Sequence, residues 1–451
     1  MSLMLVFQLL VLLTAIAIGA RAGGVAMGLW GGVGLAIQVF GFGAVPGNIP
    51  GEVLLIILTV IMAASAMEAA GGIDYLVGIA SRIIRRNPRQ VTLIAPLVAY
   101  VFTFLAGTGH IFYPLLPVIY EVAMKGRVRP ERPIAVATIA SQQAITASPV
   151  SAATAALLAL LGAKGIGLVQ ILAICIPATL AGVIVAALVQ TRVGLELDQD
   201  PEYLRRVASG EVEGPGDADG TSPTAAGADT PSVPLPPRAG LSAWMFLVGV
   251  ILVVCAGLFP ALRRVGDAAK PVVVSMPMTI AMVMLALAAL MLLFTGAAAA
   301  QVVKTKTCQA GVTAVIGILG LAWLGDTFID ANQETIVGGL SRMAQAYPAL
   351  FALGLFVTSM LLYSQAATTQ SLVPLGLSLG IAPAAVAGMF PAVNGYFFIP
   401  TYGTLIAAVN FDRSGTTRIG KYVLNHSFML PGIVSTLVAV ATGLLIARLF
   451  F

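Results

Sequence analysis

Four clusters of hydroxyl and amide side chains interrupt otherwise apolar stretches of this 451-residue chain. The first is Ala106-Gly107-Thr108-Gly109-His110, and the second is Ser141-Gln142-Gln143 with Thr146-Ala147-Ser148-Pro149-Val150-Ser151. The third is Ser364-Gln365-Ala366-Ala367-Thr368-Thr369-Gln370, and the fourth is Asn394-Gly395-Tyr396 with Pro400-Thr401-Tyr402-Gly403-Thr404. None contains Arg or Lys, so their chemistry is hydrogen bonding and helix dipoles rather than ion pairing. Where a helix stops and restarts, the first N–H groups of the new helix lack intrahelical partners, carry partial positive charge and can hold a carboxylate. Ser148-Pro149 has the form of such a restart, Ser as N-cap and Pro at the first helical position. Pro400 offers a second restart, although Ile399 is a poor cap. Two restarts suit the two carboxylates of a short diacid. The candidate contacts are Thr108, Gly109, His110, Gln142, Gln143, Thr146, Ser148, Pro149, Ser151, Gln365, Thr368, Thr369, Gln370, Asn394, Tyr396, Thr401 and Tyr402.

Two ionisable residues join them as candidate proton carriers. His110 stands at a cluster tip, and Asp326 follows Trp323-Leu324-Gly325. Ionisable groups inside a membrane are functional candidates by default. The plainer readings are a structural hydrogen bond for His110 and interfacial water for Asp326; Ser and Thr in membrane helices often bond only neighbouring backbone. His426 reads as structural, and Asp74 and Glu334 as solvated.

The elements that must position these residues are membrane helices. The chain is 59% hydrophobic and 10% charged, where soluble chains carry about 25% charge. Its apolar runs are continuous and long enough to cross about 30 Å of hydrocarbon, which excludes the alternating strands of a β-barrel. Full spans are expected near 3–20, 24–42, 52–70, 133–158 and 167–190, and again near 241–260, 272–294, 308–325, 383–408 and 422–447. The Pro-rich, acidic stretch 191–240 reads as a disordered cytoplasmic linker. Residues 3–20 read as the first helix rather than a signal peptide. Basic clusters at Arg82, Arg85, Arg86 and Arg89, at Lys125, Arg127, Arg129 and Arg132, and at Arg413, Arg418 and Lys421 all belong in the cytoplasm by the positive-inside rule. The stretch 90–124 then starts and ends on one side as a re-entrant hairpin, and both termini are periplasmic.

The halves resemble each other at a fixed offset. Gly78 meets Gly338, Ser81-Arg82 meets Ser341-Arg342, Pro88 meets Pro348, Thr108 meets Thr368 and Pro114 meets Pro374, all 260 positions on; further along, Pro149 meets Pro400 at 251. The expected organisation is an all-α inverted repeat. Residues 1–190 form the first half (hairpin 90–124, broken helix 133–158), and 241–451 form the second (hairpin 349–380, broken helix 383–408). Each half has five transmembrane helices and one re-entrant hairpin. Inverted repeats with broken helices are a signature of secondary transporters. No HExxH, GxSxG or Walker P-loop is present, so neither an enzyme nor an ATP-driven pump is expected. The three cysteines, Cys175, Cys255 and Cys308, are scattered, which argues against a disulfide framework or a Cys metal site; no metal or cofactor is expected. The net charge of +5 sits mainly in loops and suggests orientation in a lipid bilayer rather than nucleic-acid binding.

Several stretches resemble the Dcu family of anaerobic C4-dicarboxylate transporters: Pro46-Gly47-Asn48-Ile49-Pro50, residues 70–77, Arg85-Arg86-Asn87-Pro88, the 106–110 tip, ITASPVSA at 145–152, Pro400-Thr401-Tyr402, FDRSGTT at 411–417 and Asn425-His426-Ser427-Phe428. FDRSGTT and ITASPVSA are the specific ones, and the resemblance covers all but the linker. It implies a bacterial inner-membrane carrier that exchanges or takes up fumarate, succinate, malate and aspartate. It also implies membership of the wider ion-transporter superfamily, hence an elevator-type homodimer, and makes a sensor kinase a candidate partner. His110 stands where the resemblance leads one to expect Asn. The other readings are a cation-coupled symporter of another small anion such as citrate, which substrate competition separates, and an anion channel, which saturable exchange would exclude.

Overall fold

The computed structural model of the protein describes residues 3–22, 25–49, 51–212, 235–267, 272–332, 348–362, 364–400, 402–422 and 424–451. Thr401, Glu334, Gly338, Ser341 and Arg342 lie outside the described residues. Apart from a two-stranded ribbon pairing Arg264 with Val273 and Val265 with Val272, the described chain is helical. Among the described residues, seven helical stretches are long and apolar enough to span a membrane, eight if one bent pair counts as a span. This is a multi-pass membrane protein.

The first half holds α1 (Leu3–Ala22), α2 (Ala26–Ala36, extended by a π-turn Ile37–Gly41), α3 (Gly51–Ala69), α4 (Gly72–Arg85), α5 (Val91–Ala106), α6 (Leu115–Lys125), α7 (Glu131–Ala147), α8 (Ala152–Gly162) and α9 (Leu168–Gln190). After α10 (Pro201–Ala208) come α11 (Ala239–Leu258), α12 (Met276–Thr295), α13 (Ala299–Val302), α14 (Lys306–Ala331), α15 (Pro348–Leu362), α16 (Gln365–Ser378), α17 (Pro383–Met389, continued by a 3-10 stretch Phe390–Phe397), α18 (Gly403–Phe411) and α19 (Met429–Phe450). The left-handed Gly71 turns the chain 72° between α3 and α4. The left-handed Gly107 ends α5.

Packing pairs exchange when first-half helices are swapped for second-half ones. Helix α2 packs on α14 and α12 on α3, α7 on α19 and α17 on α9, α6 on α18 and α8 on α16, while α3 meets α14 and α9 meets α19 directly. Close crossings use small residues, as membrane interfaces do. A Cβ on Gly28 would collide with the Ile316 carbonyl, and one on Gly388 would strike Gly443.

Residues 383–408 comprise two short helices joined by a 3-10 stretch and a break. Three expectations are corrected. The last span starts at Met429, not 422. The preceding loop winds around Asp412, whose carboxylate accepts from the Ser414 N–H (2.9 Å), the Thr417 N–H (2.6 Å) and the Thr416 hydroxyl (2.9 Å). Residues 272–273 form a strand ahead of α12 rather than its first turn.

The linker is the third. Residues 191–212 are ordered and docked, because Asp200 and Pro201 make a strong N-cap for α10 and charged partners await it. Asp200 accepts from the Glu202 and Tyr203 amides (3.0 Å each) and takes Arg129 at 2.5 Å. Arg129 also pairs with Glu131 at 2.6 Å, Arg132 pairs with Glu196 at 2.9 Å, and Arg206 donates to the Arg413 carbonyl at 2.9 Å. Arg129 and Arg132 are therefore buried and neutralised, unlike the exposed Lys125 and Arg127.

Candidate functional site

The breaks and tips converge. The α5–α6 turn is closed by Gly107 and by Thr108, whose Oγ1 accepts from the His110 N–H at 3.4 Å. Between α15 and α16, Ser364 is the N-cap, its hydroxyl accepting from the Ala367 N–H at 3.2 Å. Helix α7 ends at Ser148, and α8 restarts at Ala152 with Ser151 as N-cap, accepting from the Thr154 N–H at 3.1 Å. The restart thus lies one turn beyond the expected Ser148-Pro149. Ser148 instead donates to the Phe104 carbonyl at 2.6 Å, tying the break to α5, while Pro149 and Val150 fill the turn. The second restart is Gly403 behind Tyr402, not Pro400. His426 sets the far edge of that break, its Nε2 lying 3.3 Å from the Phe398 carbonyl.

Between these elements and the face of α14 lies a cavity of about 350 Å³, within the size range of small-ligand sites. Of the expected contacts, Thr108, Gly109, His110, Gln142, Gln365, Tyr396 and Tyr402 line it. Tyr113, Ser364, Thr404 and the α14 residues Ala310, Thr313 and Gly317 line it too. Sequence reasoning placed Ser364 and Thr404 in the polar clusters without singling them out, and passed over Tyr113 and the α14 face. The first residues of three helices reach the wall: Ala152 and Ala153 of α8, Gln365 and Ala366 of α16, and Thr404 of α18. First-turn amides have no intrahelical acceptor, so all three ends turn partial positive charge toward this space. Among the described lining residues there is no Arg, Lys, Asp or Glu, and His110 is the sole imidazole. Its ring stacks on Tyr113 with centroids 6.4 Å apart.

The remaining expected contacts among the described residues stand behind the wall and build it. Asn394 is the hub. Its amide donates to Gln143 Oε1 (3.0 Å), Thr146 Oγ1 (3.4 Å) and the Pro391 carbonyl (3.1 Å), and its Oδ1 accepts from Gln365 Nε2 at 2.6 Å. Gln365 also donates to the Gln142 carbonyl at 3.1 Å, so one side chain joins the second tip to both broken helices. Gln370 donates to the Ala156 carbonyl at 3.3 Å. Thr368 and Thr369 donate to carbonyls one turn back, at 2.8 and 2.7 Å, and make no wall contact. Two hydroxyls of the cavity lining, Tyr396 OH and Thr404 Oγ1, are buried with no hydrogen-bond partner among the described residues. A buried hydroxyl without a partner costs about 1–3 kcal/mol.

Asp326 lies apart from the cavity lining. Its Oδ2 accepts from the Asn48 N–H at 2.6 Å, Thr327 accepts from the Gly47 N–H at 2.9 Å, and Trp323 donates to the Gly47 carbonyl at 2.9 Å. The Pro-Gly-Asn loop is thus pinned to α14, and the carboxylate is engaged by backbone.

The sequence matches the family described as anaerobic C4-dicarboxylate membrane transporters over residues 4–451. It is 42% identical to C4-dicarboxylate transporter DcuA of Wolinella succinogenes, over 98% of this chain and 99% of that protein. It is 40% identical to DcuA of Escherichia coli and 38% identical to anaerobic C4-dicarboxylate transporter DcuB of the same species, over 98% of each chain in both cases. The chain belongs to the DcuA/DcuB family of anaerobic C4-dicarboxylate membrane transporters.

Proposed function

We propose that the protein is a secondary transporter of C4-dicarboxylates (fumarate, succinate, malate and aspartate) that works by exchange across the bacterial inner membrane. The observation that carries this reading is the cavity itself. Three helix N-termini, hydroxyls and amides surround about 350 Å³ with no fixed anion or cation on the described wall. One carboxylate would take the α8 end with Thr108, the other the α16 and α18 ends with Ser364, Tyr396 and Thr404. The unsatisfied hydroxyls of Tyr396 and Thr404 gain acceptors when a carboxylate arrives. His110 would carry a proton with the substrate.

The mechanism we infer is an elevator within an inverted repeat. The hairpins 90–124 and 349–380 and the broken helices move as one unit, because the Asn394 network joins the second hairpin to both broken helices and the Ser148–Phe104 bond ties the first hairpin to them. They slide past α14, which faces the cavity with Ala310, Thr313 and Gly317. The exchanged packing pairs support the repeat. So do the N-caps Ser151 and Tyr402, which stand at the same 251-residue offset as the contacting pair Gln143 and Asn394. A homodimer, periplasmic termini and a cytoplasmic 191–240 segment complete the proposal.

Counterflow in proteoliposomes tests it. Influx of labelled succinate driven by internal succinate, fumarate or aspartate, and not by citrate or empty vesicles, is the expected result. Equal influx into empty vesicles would refute exchange, and preference for citrate would refute the substrate class.

A further inference from the structure

The turns after α4 and after α6 pack together into one basic corner. Gly126 sits so close to Pro88 that a Cβ there would meet its carbonyl oxygen at 2.6 Å, which brings Lys125 and Arg127 beside the 82–89 segment. The acid on this corner is Glu121, shared by Arg85 at 2.6 Å and Lys125 at 2.7 Å. Arg82, Arg86, Arg89 and Arg127 are exposed and have no ion pair among the described residues. Like charges at this density repel unless something anionic neutralises them.

What lies beside them is apolar. Ile83 is 39% exposed between Arg82 and Arg86, and Leu97 and Val101 on the adjoining α5 are 36% and 46% exposed. Helix α4 buries Ile73, Leu76, Ala80 and Ile84 on its opposite face and turns 72° from the apolar α3. With α3 taken as a span, the 72° bend lays α4 roughly along the membrane surface, with the guanidiniums toward headgroups and Ile83, Leu97 and Val101 toward acyl chains. Arg suits phosphodiesters because its planar fork donates two parallel hydrogen bonds.

We propose that Arg82, Arg86 and Arg89 form a binding site for the headgroup of an anionic phospholipid, whose chains lie on Ile83, Leu97 and Val101. Bound there, the lipid holds α4 in the plane of the bilayer, at the root of the α5–α6 hairpin. The site stands independently of the substrate cavity.

The test places a reporter in the full-length protein in vesicles. Ile83→Trp, read as the difference from the parent chain with its three native tryptophans, is quenched by brominated phosphatidylglycerol or brominated phosphatidylcholine at matched mole fractions. Each arginine near a headgroup adds up to about fivefold in preference, so a relative binding constant of at least about fivefold in favour of the anionic lipid is expected. R82Q/R86Q/R89Q should bring the ratio to about one, and R82K/R86K/R89K, which keeps charge and topology, should give an intermediate value. Equal quenching by both lipids in the arginine background overturns the proposal, and that comparison needs no arginine variant to insert. A ratio that survives the glutamine substitutions also overturns it, assigning the preference to surface charge elsewhere.

Discussion

The Asn394 hub makes a sharp prediction. Asn394→Ala removes four hydrogen bonds at once, but not all are equal. Gln365 Nε2 keeps the Gln142 carbonyl, and the Pro391 carbonyl and Thr146 hydroxyl have only one interaction each to lose. Gln143 Oε1 loses the partner described for it, in a side chain that is fully buried. One buried acceptor left bare costs about 1–3 kcal/mol. Gln143→Ala alone strips the same bond from the other side and also removes the Nε2 bond to Thr436 at 3.2 Å. The double variant removes both partners and leaves no bare acceptor there. The two substitutions should therefore be non-additive by about 1–2 kcal/mol, within the range for contacting residues. Unfolding in mixed micelles with graded denaturing detergent reads the cycle. If the network also aligns the tips with the breaks, each single variant should lower succinate counterflow by about 5- to 150-fold, the equivalent of 1–3 kcal/mol. Additivity within about 0.5 kcal/mol would refute the hub. Coupled stability with undiminished counterflow would leave it structural and refute its role in transport.

Tyr396→Phe and Thr404→Val delete hydroxyls that are unsatisfied without a ligand, so stability should hold or rise by up to about 1 kcal/mol while the half-saturating succinate concentration rises about tenfold or more, as for a lost bond to a charged group; unchanged affinity would put the carboxylates elsewhere. His110→Asn should retain exchange but lose the pH dependence of net uptake between about pH 5 and 8, the range in which an imidazole titrates, measured with a pH gradient of either sign. Asp200 tests the docked segment. Burial alone would raise its pKa, but the Tyr203 N–H, Arg129 and the Glu202 N–H outweigh that and hold it below the ordinary value. A depressed folded pKa means stability that is complete above the unfolded pKa of about 3.9 and is lost as pH falls through the folded value. Hydrogen exchange over 197–208 should thus stay slow at neutral pH and quicken only below about pH 4. Asp200→Ala should quicken it at pH 7, costing about 1–3 kcal/mol by removing both the cap and one carboxylate from buried Arg129.

Much of the site could be read in the sequence, because a helix broken inside an apolar run leaves Pro, Gly and hydroxyl residues where they have no packing role. The register of the first restart could not. Ser148 and Ser151 are equally good caps on paper, and the choice turns on Ser148 reaching the Phe104 carbonyl from the neighbouring helix. Asp326 is conspicuous in the sequence as an acid in an apolar span, but its tie to the amide of Asn48, 278 residues away, follows from no local pattern. The average composition of 191–240 is that of a disordered segment, and the Pro, Asp and Gly of its middle mask a well-capped helix at its start. Thr368 matched Thr108 at the 260 offset, yet it bonds Ser364 within α16 while Thr108 lines the cavity; sequence alignment does not fix which side of a helix a residue presents.

The uncharged wall of the cavity has an electrical consequence. While His110 is unprotonated, the described wall contributes no charge and the cargo sets the charge that moves. A dicarboxylate dianion crossing with it displaces two elementary charges, about 4.6 kcal/mol per 100 mV of membrane potential. An interior-negative potential would then oppose unaccompanied accumulation of the diacid by more than a thousandfold at that voltage. One dianion traded for another displaces nothing, so the voltage drops out of the exchange cycle altogether. The same vesicles should carry exchange at a rate indifferent to a potassium diffusion potential, while net flux follows it.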